Sequence, residues 1–199
     1  MDVDENSSIE VERQKEKVKV FKIINSRNDI YSSDAVKLKP KELHIFDKNL
    51  TTIFNMLGEV KNLNKPKVCI LSPTEMKTTA VASYSPLNNI FYVNKAYFNK
   101  TELSNFQSGF ACSDNELSTP LHELIHWQDA EKYRRKYGEI TDFNSYVEYL
   151  NKKFAPKLEK LQKEGYNIFD ISNYATKSIR GGRFDEAYTE YRVKKFLKG

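Results

Sequence analysis

The chain has 199 residues, enough for one sizeable hydrophobic core, and no pattern in it indicates a second one. Its composition, 39% hydrophobic and 30% charged, is typical of a globular protein and excludes a disordered chain. No apolar run approaches the roughly 20 residues that a membrane-spanning helix needs, so we expect no membrane partner.

The N-terminal sequence and the number of cysteines indicate the cellular compartment of the chain. The first residues lack the basic and apolar stretches of a secretory signal. Cys69 and Cys112 are too few for a disulfide framework or a cysteine zinc site. We therefore expect a reduced, cytoplasmic chain.

The formal net charge of +5 raises the question of a nucleic-acid partner. Basic residues are dense at 132–136 and 152–163, but acidic residues interleave with them, and no fingerprint of a nucleic-acid-binding fold is present. A solvated helix surface explains this pattern better, so we do not expect nucleic acid as a partner. The same charge would suit an acidic protein substrate.

The first half of the chain predicts strands and one long helix. Residues 1–16 are polar and predict a loose tail. Alternating apolar residues over 18–24 predict a half-buried strand, and the apolar run 67–71 predicts a buried one. Between them, a helix follows Pro40 and stops near Gly58.

Two further apolar runs, residues 81–84 and 90–93, flank the turn sequence Ser-Pro-Leu-Asn-Asn. Runs of this length on either side of turn residues predict a β-hairpin.

The most informative stretch is residues 122–126, His-Glu-Leu-Ile-His. Positions i and i+4 share one face of a helix, so the imidazoles of His122 and His126 can reach one metal ion. Glu123 is rotated by about 100° and can lean over a water in an open coordination position. This is the HExxH signature of zinc peptidases: two ligands and one general base from a single helical turn. The alternative is a helix with two surface histidines and a solvated glutamate.

The surroundings of the motif favour a packed helix. Ser118 or Thr119 can cap its N-terminus, Pro120 suits its first turn, and Gly138 can end it after Tyr137. An apolar stripe predicts that one side is packed; it consists of Leu121, Leu124 and Ile125.

A catalytic zinc site usually has a third protein ligand. The remaining histidine, His44, lies far upstream in another predicted helix. The metzincin pattern is excluded, because it needs glycine and histidine where this chain has Asp129 and Lys132. The third ligand is therefore expected to be a carboxylate.

Past Gly138, we expect helices over 143–154 and 156–164, broken or kinked at Pro156, and then a loop that carries Tyr174. Glu186 and Glu190 follow on one face of a predicted C-terminal helix. Val193 and Leu197 continue the glutamate face, and a second apolar stripe lies on the other side: Phe184, Ala187, Tyr188 and Tyr191. A helix that is apolar on two sides is expected to be sandwiched, and buried carboxylates there need a metal or a histidine N–H as partner. The alternative is a solvated helix on which Glu190 pairs with Lys194.

These pieces resemble a known family. The chain has HExxH and, later, a helix that reads Glu-x-x-x-Glu and is preceded by an Asn-Tyr pair, here Asn173-Tyr174. This combination is similar to the catalytic domain of anthrax lethal factor and its gluzincin relatives. A weaker likeness, over roughly residues 17–199, is to the zincin-like domains encoded with bacteriophage head-morphogenesis (minor capsid) proteins. It rests on short segments: Asn28-Asp29-Ile30-Tyr31, Lys37-Leu38-Lys39-Pro40, Asp114-Asn115-Glu116-Leu117 and Ile171-Ser172-Asn173-Tyr174-Ala175.

The resemblance implies Zn2+ bound by His122, His126 and Glu186, with Glu190 as a carboxylate behind the ligands. It implies Glu123 as the base and Tyr174 as a phenol that hydrogen-bonds the oxyanion or the leaving amine. Tyr174 lies several positions further from Glu186 than in lethal factor, so a tyrosine at the edge of the core is the alternative for that residue.

We therefore expect an α+β, zincin-like fold in which a small mixed or antiparallel sheet packs on the HExxH helix and the helical C-terminal part carries the third ligand. After the tail at 1–16, residues 17–199 would form one metallopeptidase domain that hydrolyses a peptide or protein substrate. By analogy, residues 90–93 are a candidate edge strand for substrate, although a plain hairpin is equally open. The competing hypothesis is a non-catalytic, virion-associated structural or adaptor protein with a structural or vestigial zinc site, whose partners would be phage head or capsid proteins.

Overall fold

The computed structural model describes residues 2–58 and 64–198, with Gln107 described by its backbone alone. The chain is an α+β protein: the described residues form one six-stranded mixed sheet and seven α-helices. They divide into two compact units, Met1–Phe106 and Gln107–Gly199. The single zincin-like domain expected over residues 17–199, and the packing of its sheet on the HExxH helix, stay predictions.

The first unit contains the sheet. Its strands are β1 (Val3–Arg13), β2 (Glu16–Ile23), β3 (Ile30–Ser33), β4 (Lys67–Leu71), β5 (Ala82–Ser85) and β6 (Ile90–Asn94). Its helices are α1 (Pro40–Leu57), α2 (Pro73–Met76) and α3 (Lys100–Gln107), the last of which ends at the boundary. The strand order is β1-β2-β3-β4-β6-β5, and the β3/β4 and β4/β6 pairs are parallel while the others are antiparallel.

Four predicted elements of this unit are confirmed. The strand expected over residues 18–24 is β2, the helix after Pro40 is α1 with Gly58 as its cap, the buried run 67–71 is β4, and the hairpin is β5–β6. One buried cluster of this unit combines Met76 of α2 with side chains of five strands: Val11, Val20, Tyr31, Cys69, Leu71, Ile90 and Tyr92. Parallel strands need a long crossover, and α1 supplies it between β3 and β4.

The expectation of a loose tail over residues 1–16 is wrong from Val3 to Arg13, because this stretch is β1. Residues Ser8–Arg13 pair antiparallel with β2, and Val11 is only 3% exposed in the core. Arg13 is also fixed, since its Nε donates to the Met76 carbonyl at 3.0 Å. An edge strand needs few apolar residues, and its partner β2 is what orders this polar sequence.

The hairpin also corrects an expectation. Residues 90–93 lie in β6, which pairs with β4 on one side and β5 on the other. Its main-chain groups are therefore used within the sheet, and β5 is the edge strand on this side. Residues 90–93 are not an open edge for substrate.

The second unit is helical. Its helices are α4 (Ser118–Tyr137), α5 (Phe143–Lys163), α6 (Asn173–Arg180) and α7 (Phe184–Lys198). Gly138 ends α4 with φ +88°, a left-handed conformation that favours glycine, as the sequence predicts. The expectation that Ser118 or Thr119 caps α4 is wrong: Leu117 takes the cap position, and Ser118 and Thr119 are the first two residues of the helix.

Two expectations about the second unit are corrected. The break at Pro156 is wrong, because Pro156 lies inside α5, which runs continuously from Phe143 to Lys163; a kink there stays a prediction. Tyr174 lies on α6, not in a loop, because Ser172 caps that helix by accepting the Ala175 N–H at 3.0 Å.

Helix α7 is central to this unit, since it packs against α4, α5 and α6. Its apolar stripe is confirmed and joins a buried cluster with α5 and α6: Leu158, Ile168, Ile171, Ala175 and Ala187, flanked by Phe184, Tyr188 and Tyr191. The opposite face of α7 carries Glu186 and Glu190 toward α4. None of the helices in residues 2–58 and 64–198 has the length and apolar composition needed to cross a membrane.

The order of β1 can be tested with Val11→Asp. We expect a loss of several kcal/mol in the free energy of unfolding, about 3 kcal/mol or more, because an unpaired carboxylate would be buried. Urea denaturation measures it, with Ser8→Asp on the exposed side of the same strand as the control. Equal stability of the two variants would mean that residues 3–13 are a tail in solution.

Candidate metal centre

Helix α4 presents both histidines of the motif side by side. The rings of His122 and His126 are 4.8 Å apart between centroids, as expected for residues one helical turn apart. His122 is 4% exposed, and the apolar stripe beside it, Leu121, Leu124 and Ile125, is buried as the sequence predicts. The alternative of two surface histidines is therefore wrong.

Helix α7 brings Glu186 to the same point. Its Oε2 lies 3.0 Å from His122 Nε2 and 3.1 Å from His126 Nε2, and the two Nε2 atoms are 3.1 Å apart. Three potential ligand atoms thus form a nearly equilateral triangle. Together these three residues make a group that could hold a metal ion.

The triangle fits zinc in donor type and in size. Zinc accepts imidazole nitrogen and carboxylate oxygen at about 2.0–2.2 Å, and tetrahedral angles then separate the ligand atoms by roughly 3.3 Å. The observed separations of 3.0–3.1 Å come within a few tenths of an ångström of this value. Three protein ligands leave one tetrahedral position for water or substrate.

Glu190 lies behind His122 and is completely buried. Its Oε1 accepts hydrogen bonds from the Ala111 N–H and the Ser172 hydroxyl, both at 2.9 Å. Its Oε2 lies 3.0 Å from His122 Nδ1. Since Oε1 is occupied by two donors, Oε2 is the natural acceptor for a proton on Nδ1, and the carboxylate orients the imidazole ring.

The contact between Glu190 and His122 Nδ1 determines which form of His122 Nε2 lies next to Glu186. A neutral imidazole with its proton on Nδ1 has a lone pair at Nε2. In His122 that lone pair points at the Glu186 oxygen 3.0 Å away, and two acceptors at this distance need a positive charge between them. Either a second proton on the ring or a metal cation supplies it. The triangle is thus built to hold positive charge.

The pKa values of the two histidines and Glu186 are shifted in the directions that favour a charged pair, with protons on the histidines and a negative charge on the carboxylate. Burial lowers the pKa of His122, but hydrogen bonds to Glu186 and Glu190 outweigh it and raise that pKa well above its ordinary value. Burial also lowers the pKa of His126, and Glu186 raises it overall. Burial would raise the pKa of Glu186, yet both histidines bring it well below its usual range. A metal that binds here must displace protons from the histidines.

Tyr174 reaches the site from α6. Its hydroxyl donates to Glu186 Oε2 at 3.2 Å, and its backbone N–H donates to the Gly109 carbonyl at 2.8 Å. Phe110 packs between Tyr174 and His122, with ring centroids 4.7 and 5.9 Å away. Burial, then the charges of Glu186 and Glu123, raise the pKa of Tyr174 far above its ordinary value, so its phenol keeps its proton. The structure therefore brings Tyr174 to the ligands rather than to a distant edge of the core.

Glu123 is half-buried on α4. Its negative charge raises the pKa of both His126 and Tyr174, so its carboxylate lies within electrostatic reach of the metal triangle and of the phenol. The HExxH pattern predicts this neighbourhood for the residue after the first histidine.

Several residues at the site carry no recognisable sequence signal. Arg183 makes two hydrogen bonds of 3.0 Å to buried Asp185, and its Nη2 lies 3.4 Å from Glu186 Oε1. Ser172 has the pattern of a helix cap, but nothing in the sequence indicates its bond to Glu190. Ala111 contributes only a main-chain N–H, which any residue except proline could supply.

An ion pair links α4 and α7 one turn beyond the ligands. Arg192 Nη1 and Nη2 donate to the two Asp129 oxygens at 2.9 and 2.7 Å. Such a two-bond pair fixes both distance and orientation. Lys194, in contrast, does not pair with Glu190; its Nζ donates to the Asp170 carbonyl at 3.0 Å. The alternative of a solvated Glu190–Lys194 pair is wrong, because Glu190 is buried on His122.

Comparisons of this chain with protein-family models, with curated proteins and with solved structures found no match.

The role of Glu190 can be tested with Glu190→Gln. The change keeps the size of the side chain but removes the negative charge that holds His122, so we expect zinc affinity to fall about 10–100-fold. Calorimetric zinc titration measures it, beside Glu159→Gln on the exposed side of α5. Wild-type affinity in a folded Glu190→Gln protein would contradict this role.

Proposed function

We propose that this protein is a zinc-dependent peptidase that hydrolyses a peptide or protein substrate. The observation that carries the proposal is the triangle of His122 Nε2, His126 Nε2 and Glu186 Oε2, with edges of 3.0–3.1 Å. The half-buried Glu123 beside it is the group that hydrolysis needs and a purely structural zinc site does not.

In the proposed reaction, zinc held by His122, His126 and Glu186 would polarise the scissile carbonyl and lower the pKa of water to about 7. Glu123 would take the proton from the attacking water on its carboxylate and pass it to the departing amine. The Tyr174 hydroxyl, which stays protonated, would donate a hydrogen bond to the developing oxyanion or to the amine. Glu190 would keep the His122 ring in place during these steps.

The zincin-like fold and the kinship with gluzincins and with the phage-encoded domains belong to this proposal. They are supported by the HExxH helix, by the position of Glu186 and Glu190 on α7, and by Tyr174 near the ligands. These residues support the peptidase proposal and do not bear on a location in a virion.

The metal site is tested by the zinc content of the purified protein, measured by elemental mass spectrometry. We expect about one zinc per chain in the wild type and a large loss in His126→Ala and in Glu186→Ala, since two ligands bind far more weakly than three. Glu159→Gln serves as the surface control. A folded wild type that takes up no zinc, even after zinc is added, would overturn the peptidase proposal.

Catalysis is tested separately by Glu123→Gln. This variant should retain zinc, because Glu123 is not a ligand, while cleavage of a peptide library falls at least about a hundredfold with the loss of the base. The wild type treated with a chelator gives the background. Zinc binding without chelator-sensitive cleavage by the wild type would favour the non-catalytic alternative, and full activity of Glu123→Gln would refute the assignment of the base.

A further inference from the structure

The second unit also carries a concentration of positive charge apart from the metal ligands. Two stacked rings, Phe154 of α5 and Tyr188 of α7, lie 5.0 Å apart at an interplanar angle of 23°. Three basic residues lie over them: Lys153 and Lys157 of α5 and Arg192 of α7. Lys132 of α4 acts electrostatically on Lys153, and these four residues are called the cationic cluster here.

The rings hold three of these charges together. The Lys153 and Lys157 ammonium groups lie 5.5 and 5.8 Å from the Phe154 centroid, and the Arg192 guanidinium carbon lies 4.9 Å from it. Lys157 and Arg192 also lie 5.5 and 5.0 Å from the Tyr188 centroid. These distances are within the range of cation–π attraction, which offsets part of the repulsion between the like charges over the two rings.

Asp129 neutralises Arg192, but the three lysines of the cluster have no such carboxylate partner among the described residues. Asp129 is the nearby acid, and both of its oxygens are taken by Arg192. Within residues 2–58 and 64–198, no ion pair joins Lys132, Lys153 or Lys157 to a carboxylate. The pKa of Lys153 is lowered, first by burial and then by the other three cations, while Asp129 acts in the opposite direction. An excess of positive charge therefore remains on an exposed surface.

We propose that the cationic cluster is a docking surface for an acidic segment of a protein. Charge complementarity identifies this occupant: the exposed ammonium groups of three lysines on flexible stems can each meet a carboxylate, and binding would relieve their mutual repulsion. The surface needs no metal, so the inference goes beyond the proposed hydrolysis. In a peptidase it would select proteins that carry acidic segments.

Nucleic acid fits the same surface less well. Single strands bind where exposed aromatic rings stack on the bases. Phe154 is 2% exposed, and cations already lie over both rings of the cluster. The surface thus offers charge without free ring faces, which suits carboxylates rather than bases.

The test measures binding of a fluorescein-labelled peptide of alternating glutamate and glycine by fluorescence anisotropy, at about 150 mM salt where long-range attraction is screened. The same peptide with glutamine in place of glutamate is the probe control. Lys153→Glu with Lys157→Glu reverses two charges of the cluster; Lys160→Glu with Lys163→Glu reverses two exposed charges further along α5. We expect the first pair to weaken binding at least about tenfold and the second less than about threefold.

Equal losses in the two double variants would overturn the proposal, since binding would then reflect net charge alone. Absence of glutamate-peptide binding by the wild type would overturn it as well, as would tighter binding of a single-stranded oligonucleotide at the same residues. Lys132→Glu on α4 guards against misfolding of the α5 variant. This single change should weaken binding a few-fold, and unchanged binding would count against the surface.

Discussion

The buried contact between Glu190 and His122 Nδ1 is the interaction on which the rest of the site depends. It places a carboxylate with no exposed surface at the centre of the second unit, where it is tolerated because three donors satisfy it. The same contact sets the ring orientation of His122 and leaves its Nε2 directed at Glu186. Without it, the His122 ring would lose the contact that directs its Nε2 at Glu186.

The hydrogen-bond donors to Glu190 connect it to the start of α6 and to the loop before α4. Ser172 caps α6 and donates to Glu190 with the same hydroxyl, so the start of the helix that carries Tyr174 is fixed relative to α7. The loop before α4 supplies the Ala111 N–H and places Phe110 against His122 and Tyr174. The polar groups and the packing around the candidate metal site are thus parts of one arrangement.

Charge is distributed unevenly over the second unit. At the metal triangle, two carboxylates meet two imidazoles that can carry one or more protons, and a cation can replace these protons. One turn along α4, Asp129 and Arg192 neutralise each other in a two-bond ion pair. Beyond this pair, the lysines of the cationic cluster remain uncompensated. The buried site therefore offers groups that could hold a positive charge, while the exposed surface nearby carries lysines without an ion pair among the described residues.

The sequence by itself determined the local features whose signal lies within a few residues. The i, i+4 spacing of His122 and His126 fixes a common helix face, and the strand β4, the hairpin β5–β6 and the end of α4 at Gly138 follow from local pattern and turn chemistry. The packing of the Glu186 helix between other helices could be predicted because its sequence is apolar on two sides.

Only the tertiary structure decided the features that depend on partners distant in sequence. The polar segment of β1 becomes a strand because β2 pairs with it, and β6 is an internal strand because β4 lies beside it. The bonds of Ser172, Ala111 and Arg183 to the two glutamates exist because α6, α7 and the loop before α4 converge, and no short pattern encodes that convergence. Hydrogen bonds and burial between remote segments are properties of the folded chain, so their consequences could be identified only once the fold was known.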